Sequence, residues 1–268
     1  MKKALTIAGS DSGGGAGIQA DIKTFAAHGI FGMSVITAVT AQNTMEVRSV
    51  QAIETAIIND QMAAVFEDIH VDAVKIGMLG SKEIVETVAD ALYTYVPSIV
   101  ILDPVMISKS GHHLLDEKAV SALKTKLLPL ATLITPNVPE AEVLTGLTIR
   151  TEQDFYKACL SLADLGSKAV LLKGGHAEGN PDDLFYDGKS FHWVKGERIH
   201  TKNTHGTGCT LSSAIASNLA NGLSLQESIE QAKLYISEAI RNSFSIGAGH
   251  GPVHHFHSFS KKERSESI

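Results

Sequence analysis

The chain has 268 residues, 44% of them hydrophobic, and a formal charge of −6 from 23 Lys+Arg against 29 Asp+Glu. That length and apolar content support one large α/β core, and the absence of a long basic run excludes a nucleic-acid footprint. No apolar stretch approaches the roughly 20 residues of a membrane span, the N-terminal apolar run is shorter than the roughly 7–15 residues of a secretory signal, and two cysteines, Cys159 and Cys209, make no disulfide framework. A cytoplasmic protein with reduced thiols is expected.

Short runs rich in Val and Ile follow one another along the chain: ALTIAG (4–9), MSVITAVTA (33–41), AVKIGML (73–79), SIVILDPV (98–105), TLITPN (132–137) and KAVLLKG (168–174). They are apolar at successive positions, the pattern of parallel strands covered by helices on both faces. Between them, Ile18, Ile22 and Phe25, and again Phe155, Cys159 and Leu162, fall at i, i+4, i+7 and predict helices with one buried stripe. Cys159 is read as core. Residues 183–199 break the alternation; two β-rich runs flank Asp187-Gly188 and predict a hairpin. Two helices are predicted over about 207–221 and 225–243. With no linker and no repeat, the chain reads as one doubly wound α/β domain over 1–268, with ligands expected at the carboxyl ends of its strands. The last residues, 258–268, read as a solvated tail.

Two Gly-rich stretches carry the chemistry. AGSDSGGGAGIQAD (8–21) joins a strand to a helix, yet it meets only a loose form of the dinucleotide fingerprint, and no acid follows about 20 residues on. Tight strand–helix packing is one alternative. Another is close approach of a small substrate to the backbone, with Asp21 on the helix behind it. NTHGTGCTLSSAIASNLANG (203–222) runs from a turn into a small-residue helix. Gly206 and Gly208 free main-chain N–H groups to converge at the positive end of that helix, an anion site made of backbone. Cys209 lies in that field, where its thiol pKa is expected to fall below about 8.5; the plainer reading is a helix start that carries a small buried cysteine.

Asp103, Glu140 and Lys173 end or follow predicted strands. Singly, they read as a turn cap, a helix-dipole partner and a snorkelling lysine. Together they place two acids and a lysine on the face from which the Gly-rich turns emerge. Two acids suit Mg²⁺ held partly through water, and a lysine suits phosphate charge. That is phosphoryl-transfer equipment without a Walker motif. GHGPVHHFH (249–257) has four histidines in eight residues, but no acid or cysteine accompanies them, so packing beside the nucleotide end, or partial exposure, is preferred to metal chelation.

The stretches LTIAGSDSGGGAGIQADIKTF, VTAQNT, KIGML, LDPVM, ITPNVPEAEVL, LLKGGH, NTHGTGCTLSSAIA and GPVHHF, spread over residues 4 to about 256, resemble the hydroxymethylpyrimidine/phosphomethylpyrimidine kinases of thiamine biosynthesis. The resemblance implies a ribokinase-like fold: a three-layer, doubly wound, mostly parallel sheet with helices on both faces. It implies ATP and Mg²⁺ as cofactors and a homodimer. It implies Gln42 as the hydrogen-bonding partner of an aminopyrimidine, with Asp21, Gly9, Met78 and Val105 lining the same pocket. It implies Gly206, Thr207 and Gly208 around the transferring phosphoryl group, Lys173 with Thr204, Thr207 and Gly208 at the nucleotide, and Asp103 and Glu140 at the metal. Cys209 matches a position filled by an aspartate base in sugar kinases of the wider superfamily. Two substrates taken in turn explain the difference. An alcohol must lose a proton, whereas a phosphate oxygen needs no base and would be repelled by a fixed carboxylate. The rival activities are pyridoxal/pyridoxine kinase, a catalytically inactive vitamin- or nucleotide-binding protein and, more distantly, a dinucleotide oxidoreductase. Pyridoxal lacks the amino group beside a ring nitrogen, so it would leave the Gln42 amide half satisfied at about 1–3 kcal/mol.

Overall fold

The apolar runs assemble into one sheet. The computed structural model describes residues 1–106, 115–175 and 181–259. In chain order the elements are β1 (Lys3–Asp11), α1 (Gly17–Ala27), β2 (Phe31–Gln42), β3 (Val47–Ala52), α2 (Thr55–Phe66), β4 (Ala73–Ile76), α3 (Lys82–Tyr95) and β5 (Val100–Leu102). There follow α4 (Glu117–Ala122), β6 (Leu133–Ile134), α5 (Val138–Thr145), α6 (Glu152–Asp164), β7 (Val170–Leu172), β8 (Asp183–Tyr186), β9 (Phe191–Val194), α7 (Thr207–Ala220) and α8 (Leu225–Arg241). The strand order is β3-β2-β1-β4-β5-β6-β7-β8-β9. The strands from β2 to β7 in that order run parallel, while β3, β8 and β9 each pair antiparallel with their neighbours at the two ends. The chain steps outward from β1 to β2 and β3, then returns past β1 to β4, so the topological switch lies at the carboxyl ends of β1 and β4.

Strand alternation divides the core into two layers. Leu5, Ile7, Val74, Ile76, Leu102, Ile134, Val170 and Leu172 pack under α2 to α6. Ala4, Ala73, Ile101, Leu133 and Leu171 pack under α1, α7 and α8. Each fully buried Leu or Ile contributes about 1.5–3 kcal/mol, and this two-sided burial sets the register that positions everything at the strand ends. Helix α7 is buried along most of its length, from Thr210 to Asn218, which its small side chains allow.

Some expectations need correction. Ile22 is 37% exposed rather than part of a buried stripe; α1 turns Ile18, Ala20, Asp21, Thr24 and Phe25 inward instead, because a polar cluster beneath it draws Asp21 down. β3 escapes the sequence pattern since it is an edge strand, mostly exposed, with Arg48 and Gln51 on it. β6 is cut to two residues by Pro136 and the helix cap Asn137. Cys159 is core as expected, with no exposed surface. Of the solvated tail, Ser258 and Phe259 are exposed; residues 260–268 lie outside the described residues. No helix among the described residues is long and apolar enough to cross a membrane.

Candidate active site

Five helices begin on a side-chain cap: Ser81, Asp116, Asn137, Thr151 and Ser224. Helix α7 does not. It starts from Gly206 in the left-handed region, φ 79°, with no side-chain cap; the Thr207 N–H turns back to the Thr204 carbonyl (3.3 Å), and the next N–H groups keep the positive end of the helix available to an anion. Only glycine serves at 206, because a Cβ there would overlap the Gly15 carbonyl. The two Gly-rich turns thus touch backbone to backbone. Asp11 and His205 pin them together. The Asp11 carboxylate accepts N–H bonds from Gly13 (2.8 Å), Gly15 (3.0 Å) and Ala16 (2.8 Å) and lies 2.8 Å from His205 Nε2. Burial alone would raise the Asp11 pKa, but His205 and these N–H groups hold it below the ordinary carboxylate value.

The charged triad follows from strand periodicity. Ile101 and Leu171 face α7, so Asp103 and Lys173, each two residues on, face it too. Lys173 Nζ lies 3.0 Å from Asp103 Oδ1, and both side chains are largely buried. Thr135 Oγ1 is 3.3 Å from Oδ1 and Ser212 Oγ 3.4 Å from Oδ2 of Asp103. A Cβ on Gly208 would stand 3.5 Å from both Asp103 Oδ2 and Lys173 Nζ, so the first turn of α7 rests directly on the pair. Glu140 closes the group from the first turn of α5, where its carboxylate accepts the Asn137 N–H (2.8 Å) in a capping box and the Met106 N–H. Burial pushes its pKa up to about 7; Lys173 opposes the rise and Asp103 adds to it. Burial works against the charge of Lys173, but Asp103 and then Glu140 more than reverse it and hold the ammonium above its ordinary value.

The donor set fits a divalent cation. Two carboxylates face one ammonium, and Asp103 Oδ2 keeps only a long contact with Ser212. Two carboxylates are the number with which a protein holds Mg²⁺ mostly through water and phosphate oxygens; among the described residues there is no cluster of three or more metal-ligating side chains that would form a closed cage.

One sequence expectation fails here, and a second residue lies deeper than the pattern suggested. The thiol of Cys209 does not fall in pKa. Its sulfur accepts the Gly17 N–H at the start of α1, yet burial pushes it up to about 11; Lys75 pulls the other way, and Asp21 and Asp103 push further up. A helix end contributes about 0.3–1 kcal/mol, at most about 2, too little against the desolvation of this half-buried thiol between α1 and α7 with two carboxylates nearby. The resting form is the neutral thiol. Asp21, expected beside the pyrimidine, has no exposed surface here. It is fully buried with Lys75, whose Nζ lies 2.9 Å from both its oxygens. Thr6 Oγ1 (2.6 Å) and Ser213 Oγ (2.7 Å) complete its bonding. It joins α1, β1, β4 and α7.

Of the remaining expected residues, Gly9, Met78 and Gln42 lie toward the carboxyl ends of β1, β4 and β2, and Val105 follows β5. Gly9 abuts Met78, since a Cβ on it would overlap the Met78 methyl. Val105 is half-buried just past Asp103, to whose carbonyl its N–H donates (2.8 Å). Gln42 ends β2. Its amide has only long contacts, 3.4 Å to Thr40 Oγ1 and 3.5 Å to His205 Nε2, so both its donor and its acceptor are open to a ligand. The Thr207 hydroxyl donates to the Thr204 carbonyl at 2.8 Å and tightens the turn rather than projecting from it. Sequence reasoning missed Asp11, His205 and Lys75. A charged residue inside the otherwise apolar run AVKIGML was the available signal for Lys75, and an Asp two residues before a glycine was the signal for the Asp11 turn.

The model of the phosphomethylpyrimidine kinase family matches residues 11–254. The chain belongs to that family. Within this kinase family it is 49% identical over 256 residues to the hydroxymethylpyrimidine/phosphomethylpyrimidine kinase of Bacillus subtilis, covering 95% of this chain and 94% of that one. It is 53% identical over 252 residues to the thiamine biosynthesis bifunctional protein ThiED of Geobacter sulfurreducens, covering 94% of this chain but only 51% of that protein. The chain therefore spans about half of the bifunctional relative and nearly all of the kinase. Among solved structures, Bacillus subtilis pyridoxal kinase in its ADP complex superposes with a TM-score of 0.90 at 38% identity, over 97% of this chain and 99% of that one. The phosphomethylpyrimidine kinase of Clostridium difficile 630 does so with a TM-score of 0.81 at 48% identity, over 90% of this chain and 100% of that one. The fold is ribokinase-like, with a mostly parallel sheet between two helical layers.

Proposed function

We propose that this chain transfers the terminal phosphoryl group of ATP to the hydroxymethyl oxygen of 4-amino-5-hydroxymethyl-2-methylpyrimidine, and then to the phosphate of the resulting monophosphate. The observation that carries the reading is the uncapped first turn of α7 resting on the Lys173–Asp103 pair. Main-chain N–H groups of residues 206–209 and the Lys173 ammonium meet the charge of the migrating phosphoryl group, and positioned charge of this kind supplies most of the rate in phosphoryl transfer. Asp103 and Glu140 would hold Mg²⁺, which when bound neutralises charge on the phosphates. Gln42 offers one donor and one acceptor to the adjacent ring nitrogen and amino group of the pyrimidine. Gly9, Met78 and Val105 supply the apolar wall. The neutral Cys209 thiol beside the acceptor repels neither nucleophile, whereas a carboxylate there would oppose the incoming monophosphate. Thr204 and Thr207 order the turn that meets the nucleotide.

One domain over 1–268, a cytoplasmic location and a homodimer complete the reading. The location rests on the two free cysteines. The homodimer rests on the family resemblance, with Val39 and Val50 exposing apolar surface on opposite faces of the β2–β3 edge, and light scattering of the purified chain tests it. The fold match to pyridoxal kinase keeps pyridoxal as a second acceptor to test. ATP turnover measured side by side on the pyrimidine alcohol, its monophosphate and pyridoxal should give kcat/KM highest for the two pyrimidines. Turnover confined to pyridoxal would overturn the assignment.

A further inference from the structure

Phosphoryl transfer leaves one motif of the sequence unused, GHGPVHHFH. In the fold it forms a strap across two loops. The Gly249 N–H donates to Thr44 Oγ1 (3.2 Å) and the His250 N–H to the Thr44 carbonyl (2.9 Å). Next, the Gly251 N–H donates to Asn203 Oδ1 (3.1 Å) while its carbonyl accepts the His205 N–H (3.0 Å). The Val253 N–H returns to the His205 carbonyl (3.4 Å), so His205 and Pro252 pair as a short parallel bridge. Further on, His255 Nε2 lies 3.1 Å from Thr210 Oγ1 in the first turn of α7. The strap therefore grips the loop two residues past Gln42, the turn just before Gly206 and the start of α7.

His205 carries the grip inward. Its backbone is held by the strap, and its ring lies 2.8 Å from Asp11 and 3.5 Å from the Gln42 amide. The strap also approaches too closely for any side chain at two points: a Cβ on Gly249 would overlap the Thr44 carbonyl, and one on Gly251 would overlap Asn203 Oδ1 and the Phe244 carbonyl. Glycine loses the most conformational freedom on folding, so two of them flanking His250 make sense only where such close approach matters.

We propose that residues 249–253 are a positioning strap for phosphoryl transfer: acting through His205, they set the backbone of residues 203–206 against the acceptor end of the cleft at Gln42. The strap touches neither reacting atom. It fixes the distance between the two ends before substrates bind. The proposal rests on the reading of residues 206–209 as the phosphoryl site.

Gly251→Ala tests it by pushing the strap off Asn203, and Asn203→Ala does so without added bulk. A misplacement of about 1 Å costs about 10²-fold in rate. Both variants should therefore lose about 10²-fold in kcat while KM for the pyrimidine changes by less than about fivefold, as expected for lost orientation rather than lost binding. His205→Gln, which keeps a donor for Asp11, should retain far more activity than His205→Ala. A readout independent of turnover is iodoacetamide labelling followed by peptide mass spectrometry. Cys209 should label about tenfold faster in Gly251→Ala and Asn203→Ala as the loop opens locally, while core Cys159 stays unlabelled. Folded variants with wild-type kcat and wild-type Cys209 labelling would overturn the strap. If Gly251→Ala does not fold, Asn203→Ala decides alone. A wild-type chain that turns over no pyrimidine would defeat the functional reading, and the labelling contrast would still decide the strap.

Discussion

In Glu140→Gln the side chain that α5 buries beside Asp103 loses its charge but keeps its place, because glutamine at this capping-box position still accepts the Asn137 N–H. Burial, opposed by Lys173 and reinforced by Asp103, moves the Glu140 carboxyl from 4.5 to about 7. Between those values the folded chain keeps a proton that the unfolded chain has released. Stability from this group is therefore full below about pH 4.5 and is lost as pH rises through about 7. At about 1.36 kcal/mol per pH unit, the whole gap corresponds to about 3 kcal/mol, of which about 2–3 kcal/mol falls between pH 5 and 8. Urea unfolding of both proteins at pH 5 and pH 8, with EDTA to remove divalent ions, measures it. Wild type should lose that much more stability than the variant between the two pH values. At pH 8 the variant should be the more stable protein, and, with half of the charge proposed to hold the cation gone, a poorer kinase. Equal pH slopes in the two proteins, or a variant less stable at pH 8, would refute the reasoning.

Lys75→Met should destabilise the chain by about 3–5 kcal/mol by leaving Asp21 charged and buried, and Lys75→Met with Asp21→Asn should recover part of that loss; thermal or urea unfolding of the pair checks it, and no recovery would contradict the buried ion pair. With a thiol pKa of about 11, Cys209 acting as base for the alcohol makes kcat on the alcohol climb about tenfold per pH unit between 7 and 9. Cys209→Ala should abolish that climb and slow the alcohol step by about 10²–10⁴, with a much smaller effect on the monophosphate. A flat wild-type profile removes the base role. Gln42→Met should weaken pyrimidine binding by about 1–3 kcal/mol, read as a rise in KM, and an unchanged KM would release Gln42 from its role.

The parts of the site that were legible in the sequence are those governed by local rules. Asp103 and Lys173 end apolar strands two residues past core positions, so strand period alone sends them to one face. The Gly-rich start of α7 was legible because Gly206 and Gly208 stand in it; that Gly206 alone takes the left-handed region was not. What escaped depended on partners far along the chain. Asp21 meets Lys75 across 54 positions and His205 meets Asp11 across 194. No local pattern says whether a carboxylate will find an ammonium or face a ligand. The Cys209 thiol was misjudged for the same reason: helix position gives the sign of a modest field, while the larger effect is enclosure by α1, a different segment of the chain. Ile22 was placed inside by apolar spacing, and tertiary demand from the Asp21 cluster turned it out.

Crystals grown with ADP, Mg²⁺, aluminium fluoride and the hydroxymethylpyrimidine test the phosphoryl site most directly. The fluoroaluminate, standing for the phosphoryl group in flight, should lie about 2.7–3.1 Å from N–H groups of residues 206–209, between the nucleotide and the pyrimidine hydroxymethyl, with Lys173 beside it. A fluoroaluminate bound away from the first turn of α7 would contradict the assignment of that turn.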